Sequence, residues 1–266
     1  MPTALITGAS AGIGAAFARR LASEHYDLVL VARDVKRLQG FADELSGEHG
    51  ITTEALVADL SDIATGGGCA SVEKRLADGG IDLLVNNAGF TTHAPFDKGD
   101  VEDEDRMLRV NVRAVLRLAH AAVSAMLTDG GNGGQGGGII NVSSVAGFFP
   151  TAGGATYAAS KAYVTALSEG LASEFTDRGV VVTALCPGFT RTEFHQRAGI
   201  ETAGIADRMW LDADQLVDAA LADHRRKRPI SVPGWQYKVL TEVGRLTPRP
   251  VLATASRLVK ARRGRH

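Results

Sequence analysis

Ala4-Leu5-Ile6-Thr7-Gly8-Ala9-Ser10-Ala11-Gly12-Ile13-Gly14 decides the fold. A short apolar run enters a glycine-rich turn, and a helical pattern carrying Phe17, Leu21 and Ala22 leaves it. Strand, glycine turn and helix in that order make a phosphate site. Glycines let backbone amides approach a pyrophosphate, and the positive end of the helix macrodipole faces it. The spacing is Gly-x-x-x-Gly-x-Gly, a departure from the Gly-x-Gly-x-x-Gly fingerprint, and a plain tight turn is the alternative.

Outward from this stretch the pattern repeats. Leu28-Val29-Leu30-Val31 is a continuous apolar run, as a parallel strand buried on both faces shows. Helical spacing follows through Leu38, Phe41 and Leu45, then a strand around Ala55-Leu56-Val57-Ala58 ending at Asp59. A glycine-interrupted helix near Val72 and Leu76 leads to Ile81-Asp82-Leu83-Leu84-Val85. Further strands are expected at Ile139 to Val142, Val180 to Leu185 and Ile230 to Val232. The alternation predicts a single-domain α/β Rossmann fold: a doubly wound parallel sheet of about seven strands with helices on both faces.

Ligands of such sheets bind outside the carboxyl ends of the strands. That rule selects Asp59 and Asn86-Asn87-Ala88-Gly89, which otherwise read as a helix cap and an Asn-rich turn. At the end of the second strand, Arg33 follows Ala32, where a dinucleotide fold places an acid for a ribose hydroxyl or an arginine for a 2′-phosphate. Arg33 favours NADP over NAD. Asp34 is either the acid displaced by one position or the N-cap of the next helix, and the cap suits its place better.

Val101 to Leu127 reads as one amphipathic helix, and Asn111 stands on its apolar face, where an amide needs partners. Gly130 to Gly138 holds seven glycines in nine residues, the composition of a flexible loop. Downstream, Tyr157-Ala158-Ala159-Ser160-Lys161 places a phenol and an ammonium four residues apart, on one face of a helix expected to run to about Thr176. A cation beside a phenol lowers its pKa and suits it to acid and base work at neutral pH. The last strand before the substrate side ends at Cys186-Pro187-Gly188, followed by Phe189-Thr190-Arg191-Thr192 and a less regular stretch to Leu211 that is placed as a substrate lid would be.

Charge is balanced, with 29 Lys plus Arg against 30 Asp plus Glu among 266 residues, which argues against a nucleic-acid binder. The balance hides an asymmetry: from Arg225 onward there are 12 basic residues and one acid, Glu242. Two cysteines, Cys69 and Cys186, allow one disulfide at most, and Cys186 closes an apolar run, so a reducing, cytoplasmic setting is expected. The first strand begins near Thr3, which argues against a signal peptide, and no apolar run approaches the roughly 18 residues of a membrane span. No metal-ligand pattern stands out.

The ordered set resembles the classical short-chain dehydrogenase/reductases over residues 3 to 234. The resemblance rests on Thr7-Gly8-Ala9-Ser10-Ala11-Gly12-Ile13-Gly14, Asn86-Asn87-Ala88-Gly89, Asn111, Ser144 thirteen residues before Tyr157, Tyr157-x-x-x-Lys161, and Pro187-Gly188. It implies an NADP-dependent oxidoreductase moving hydride between a nicotinamide and a ketone, aldehyde or secondary alcohol. It implies Tyr157 as the proton donor or acceptor, Lys161 as its pKa depressor and ribose ligand, Ser144 on the reacting oxygen, and Asn111 anchoring a proton-relay water. Cofactor contacts would come from Gly8, Ser10, Gly12, Ile13, Gly14, Arg33, Asp59, Leu60, Asn87, Ala88, Gly89, Tyr157, Lys161, Pro187, Gly188, Thr190 and Thr192. Relatives with NADP often carry a second basic residue where this chain has Ala11, so NAD(H) stays open beside NADP(H). A dinucleotide-binding sensor with the same fold is the alternative to an enzyme. Many relatives are homodimers or homotetramers built on the helices that hold Asn111 and Tyr157.

Residues 1–234 are thus read as the dinucleotide-binding and catalytic domain, and 235–266 as a basic amphipathic helical extension. That tail resembles a subgroup acting on acyl chains or lipid-like ketones. Trp235, Val239, Leu240, Val243 and Leu246 give it an apolar face, continued by Leu252, Leu258 and Val259. Docking on the domain or on a second subunit is the favoured reading of this face, and peripheral contact with an anionic membrane is the other.

Overall fold

In the computed structural model of the protein, residues 1–64, 66–92, 96–128, 136–149, 154–197, 199 and 204–247 are described, without the side chains of His195 and Arg197. Seven parallel strands form one sheet in the order β3-β2-β1-β4-β5-β6-β7: β1 (Thr3–Thr7), β2 (Asp27–Ala32), β3 (Thr53–Val57), β4 (Leu83–Asn86), β5 (Gly137–Val142), β6 (Val180–Leu185) and β7 (Ile230–Ser231). Strand order reverses between β1 and β4. That switch point opens a crevice at the carboxyl edge.

The apolar strands are buried on both faces, and alternation assigns each residue its layer. Ala4, Ile6, Leu28 and Leu30 join Phe17, Leu21, Leu38, Phe41, Leu45 and Leu216 on one face. These come from α1 (Gly12–Ser23), α2 (Val35–His49) and α7 (Ala213–Arg225). Leu5, Val29, Val31 and Leu84 pack on the other face against Val72, Leu76, Val110, Leu118 and Ala122. That layer holds α3 (Gly68–Ala77), α4 (Val101–Leu108), α5 (Val115–Thr128) and α6 (Ala155–Phe175). A last helix, α8 (Trp235–Leu246), follows β7.

Four expectations need correction. The helix from Val101 is not one α-helix: Arg109–Ala114 forms a π-helical turn between α4 and α5, with Asn111 inside it. A π-turn re-aims side chains and is frequent at functional sites. The same span, Val101–Thr128, is long and apolar enough to cross a membrane, but half of its most apolar window is buried inside the domain, as a core helix requires. Gly137 and Gly138 belong to β5, where a side chain at Gly138 would strike His224, while 130–135 of the expected loop lie outside the described residues. The fourth is the tail, where docking of the apolar face on the domain is overturned: the face of α8 that meets the domain is Tyr237, Thr241 and Gly244, and Trp235, Val239, Val243 and Leu246 are exposed, while Leu252, Leu258 and Val259 lie outside the described residues.

Asp34 is the N-cap of α2, its carboxylate accepting from Arg37 N at 3.0 Å. Both cysteines are free and buried.

Candidate active site

The glycine turn sits at the switch point and needs its glycines for contact as well as for conformation. Gly8 and Gly12 take φ +66° and +53°, a region other residues rarely adopt. A Cβ on Gly14 would lie 2.2 Å from Gly8 O and 2.5 Å from Asn87 Nδ2, and one on Gly12 would meet Thr192 at 3.1 Å. Asn87 and Thr7 lock the turn to the end of β4. Asn87 Nδ2 donates to Thr7 O and Gly8 O, and Thr7 Oγ1 accepts from both Asn87 N and Ala88 N at 3.0 Å. A cleft of about 510 Å³ opens beside it, lined by Ser10, Gly12, Arg37, Arg191, Thr192 and Glu193 among others.

Ser143 and Ser144 divide their labour. Ser143 is buried and donates to Lys161 O at 2.7 Å, tying the end of β5 to α6. Gly147 completes the join, because a Cβ there would stand 2.8 Å from Ala162 N. This backbone contact sets the approach of Ser144 to α6. Ser144 caps the following 3₁₀ turn, Val145–Phe148, by accepting from Ala146 N, and it hydrogen-bonds Tyr157.

Tyr157 and Lys161 share one face of α6, as their spacing requires, with Lys161 Nζ 5.7 Å from the Tyr157 ring centroid. Lys161 donates to Val142 O at 2.9 Å and is only 5% exposed. Burial lowers its pKa to about 8. Burial pushes Tyr157 up to about 12, and the opposing influence is the Ser144 hydrogen bond. The ammonium lies over the ring and is turned to a carbonyl, so desolvation of the phenolate prevails.

Asn111 is fully buried and holds Phe90 by its backbone: Oδ1 accepts from Phe90 N at 3.1 Å and Nδ2 donates to Phe90 O at 2.9 Å. The π-turn brings this amide to β4's exit. Between them stands Gly89, where a Cβ would come within 3.1 Å of Asn111 Oδ1 and 3.4 Å of Lys161 Nζ. Gly89, Asn111, Lys161, Ser144 and Tyr157 are therefore gathered at one end of the sheet.

The remaining predicted residues surround this group. Arg33 is mostly exposed, with its guanidinium 4.0 Å from Asp59. Burial works against the Asp59 charge, but two hydrogen bonds from Ser61 and the fields of Arg33 and Arg106 outweigh it, so its pKa lies below the ordinary value. Leu60 and Ile13 are largely packed in the domain. Pro187 O accepts from Val145 N, Thr190 Oγ1 donates to Gly188 O, and Thr190 bridges Leu211 in parallel fashion.

Four aromatic side chains were given no role by sequence reasoning. Phe194 stands with its ring centroid 6.1 Å from that of Tyr157, and Phe189 stacks on Trp210 at 5.8 Å, so the reacting corner has an aromatic wall. Tyr237 of α8 supports that wall: its hydroxyl donates to Met209 O at 2.6 Å and accepts from Phe189 N at 3.0 Å. Its ring fills the place a side chain at Gly188 would take, within 2.0 Å. Only the aromatic identity of Tyr237 was visible in sequence, because its partners are 28 and 48 residues away.

The glycine cradle, the cleft and the gap at Gly89 fit an extended dinucleotide, since each is a place that a Cβ would close. Comparison with known proteins agrees. The family model for short chain dehydrogenase matches residues 2–202. A short-chain dehydrogenase from Sphingobium yanoikuyae, solved in complex with NADPH, is 40% identical, with TM-score 0.82 and coverage of 91% of this chain and 93% of that one. The bulky-bulky ketone specific alcohol dehydrogenase from Comamonas testosteroni is 36% identical, with TM-score 0.79 and coverage of 92% and 91%. A 2,5-dichloro-2,5-cyclohexadiene-1,4-diol dehydrogenase from Sphingobium indicum is 37% identical over 193 residues, 71% of this chain and 73% of that protein. The chain belongs to the short-chain dehydrogenase family of oxidoreductases.

Proposed function

We propose that the protein is an NADP-dependent reductase of apolar ketones or aldehydes, also able to oxidise the matching secondary alcohols. The observation that carries this reading is the Tyr157 hydroxyl, hydrogen-bonded to Ser144 and walled by Phe194. The tyrosine hydroxyl is protonated at neutral pH, and a phenol placed beside a substrate carbonyl can donate that proton to it. When bound, the nicotinamide supplies the hydride.

In this reading Tyr157 donates its proton to the substrate oxygen, and Ser144 holds that oxygen in line. Lys161 sits beside the ribose and, with its pKa near 8, passes a proton back toward Tyr157. Asn111 fixes Phe90 and Gly89 and anchors the relay water. Gly8, Ser10, Gly12, Ile13 and Gly14 present backbone to the pyrophosphate. Arg33 meets the 2′-phosphate, Asp59 and Leu60 flank the adenine, Asn87 to Gly89 hold the ribose side, and Pro187, Gly188, Thr190 and Thr192 meet the carboxamide. Asp34 accepts from Arg37 N as the cap of α2, which supports Arg33 over Asp34 as the residue that meets the adenosine ribose side. The catalytic unit of residues 1–234 draws on Tyr237 of α8 for its wall, and it works as a homodimer or homotetramer through α5 and α6, where Leu116 and Tyr163 are exposed.

The NADPH complex of the 40% identical Sphingobium yanoikuyae protein supports the cofactor assignment, the bulky-bulky ketone specificity of the Comamonas testosteroni alcohol dehydrogenase supports a ketone substrate, and the aromatic wall of Phe194, Phe189 and Trp210 supports an apolar one. The test is fluorescence titration with NADPH and NADH, followed by turnover on ketones graded by bulk. Tight NADPH binding and rates that rise along the apolar series support the reading. A preference for NADH, or rates that fall with bulk, sinks it.

A further inference from the structure

The helix α8 is amphipathic in the wrong sense for a helix that only closes a domain. A surface helix ordinarily turns its apolar stripe to the core. Here the face against the domain is Tyr237, Thr241 and Gly244, with Gly244 lying where a side chain would strike the Phe149 ring at 2.4 Å. The opposite face carries Trp235, Val239, Val243 and Leu246, which are 76%, 57%, 56% and 83% exposed, with Leu240 beside them. Their spacing keeps all four within one stripe along the helix.

Charge says what covers this stripe. Lys238 and Arg245 edge it, and the single acid there, Glu242, lies within 3.9 Å of Arg245. The chain that continues from α8, 248–266, holds six Lys plus Arg and no Asp or Glu, whereas residues 1–224 carry 17 basic against 29 acidic residues. A second copy would meet the stripe by two-fold symmetry and bring two such cationic segments together. An anionic surface attracts the segment, repels the acidic body, and so presents the stripe to itself. A tryptophan at one end of the stripe also suits the boundary between headgroups and hydrocarbon.

We propose that α8 docks the protein on an anionic lipid bilayer, with the stripe Trp235, Val239, Val243 and Leu246 in the boundary layer and Lys238 and Arg245 of the same helix toward the headgroups. The same helix holds Phe189 and Met209, beside the wall residue Trp210, through Tyr237 on its other face. Bilayer and substrate wall then stand about one helix diameter, roughly 10 Å, apart. An amphiphilic ketone would reach the site from the lipid surface. Docking itself does not depend on the proposed reaction, and the test reads binding without turnover.

The experiment is sedimentation of the full chain with vesicles of phosphatidylcholine alone and of phosphatidylcholine with about one third phosphatidylglycerol. Binding is expected to the anionic vesicles only, with a blue shift of tryptophan emission and weakening by salt. Val239→Ser/Val243→Ser/Leu246→Ser is expected to weaken binding at least about tenfold while melting temperature and NADPH affinity stay those of the wild type. Trp235→Ser, a single exposed change, provides the same comparison should the triple variant fold poorly. The proposal is overturned if the wild type ignores anionic vesicles, if the stripe variants bind as it does, or if they lower its native mass, which makes the stripe a subunit interface.

Discussion

The two edges of the sheet use polar groups for different ends. Toward the amino edge the partly buried Asp82, Asp27 and His224 serve the chain itself. Asp82 accepts from Thr3 N at 2.6 Å, and Asp27 from Thr52 N at 2.7 Å, each fastening the start of a strand. His224 packs on Gly138 and lies 3.0 Å from Thr183 Oγ1, whose own proton goes to Arg228 O. The imidazole is therefore the donor to Thr183, through Nδ1. At the carboxyl edge Thr7, Asn86, Asn141, Ser143 and Lys161 are buried together, and Asn86 Oδ1 has no hydrogen-bond partner among the described residues. Concentrating polar groups there weakens the fold locally and prepares an environment in which charge is felt strongly. Substitutions at the carboxyl edge should therefore act on turnover, and those at the amino edge on stability.

The largest expected effect is at Tyr157. Tyr157→Phe removes the only proposed proton donor and should lower kcat by about 10³, roughly 4 kcal/mol of barrier. Its melting temperature should move little, because Ser144 keeps its bond to Ala146 N. Steady-state rates and a thermal melt on one preparation check both halves, and undiminished turnover would remove Tyr157 from the chemistry.

His224 tests the other edge. Burial holds its pKa at about 4, below the ordinary 6.5. Between those values the unfolded chain binds the extra proton, so the neutral imidazole's contribution is complete above pH 6.5 and is lost as pH falls through 4. The full loss is about 3 kcal/mol. Urea unfolding across that window should show this slope in the wild type and a flatter one in His224→Gln, with kcat at neutral pH nearly unchanged. Equal slopes would show that other groups govern acid unfolding.

Gly188→Ala joins the two behaviours, because the position belongs to the site but its space is taken by Tyr237. Overpacking should destabilise by about 1–3 kcal/mol. Adding Tyr237→Ala should give less than the sum of the two single losses, a coupling that a double-mutant cycle reads out. Strict additivity would mean the ring moves aside freely. The smallest effect is expected at exposed Arg33. Arg33→Ala should weaken NADPH about tenfold, near 1.4 kcal/mol, and leave NADH affinity and melting unchanged. Parallel loss for both cofactors would place Arg33 away from the 2′-phosphate.

The sheet was legible because its evidence is local. Leu28 to Val31 had to be buried on both faces, and glycines at 8, 12 and 14 had to form a turn, whatever the rest of the chain did. The helical spacing of Tyr157 and Lys161, the cap at Asp34 and the amide of Asn111 on an apolar face are likewise short-range facts, and all are present in the structure. What sequence could not supply depends on contacts across long separations. The Asn111 amide in the π-turn is held by Phe90, 21 residues away, and the wall residue Phe189 by Tyr237, 48 residues away.

By itself, then, the sequence determined the parallel sheet, its glycine cradle and the residues that meet at its carboxyl edge, because periodicity and spacing act within a few turns of chain. Only the tertiary structure decided the ionisation of that set and the orientation of α8. Desolvation raises the Tyr157 pKa although a cation stands one helical turn away. The place left beside Gly188 for one ring turns the polar face of α8 inward and its apolar stripe outward. Both outcomes depend on what surrounds a side chain in space, which no residue spacing specifies.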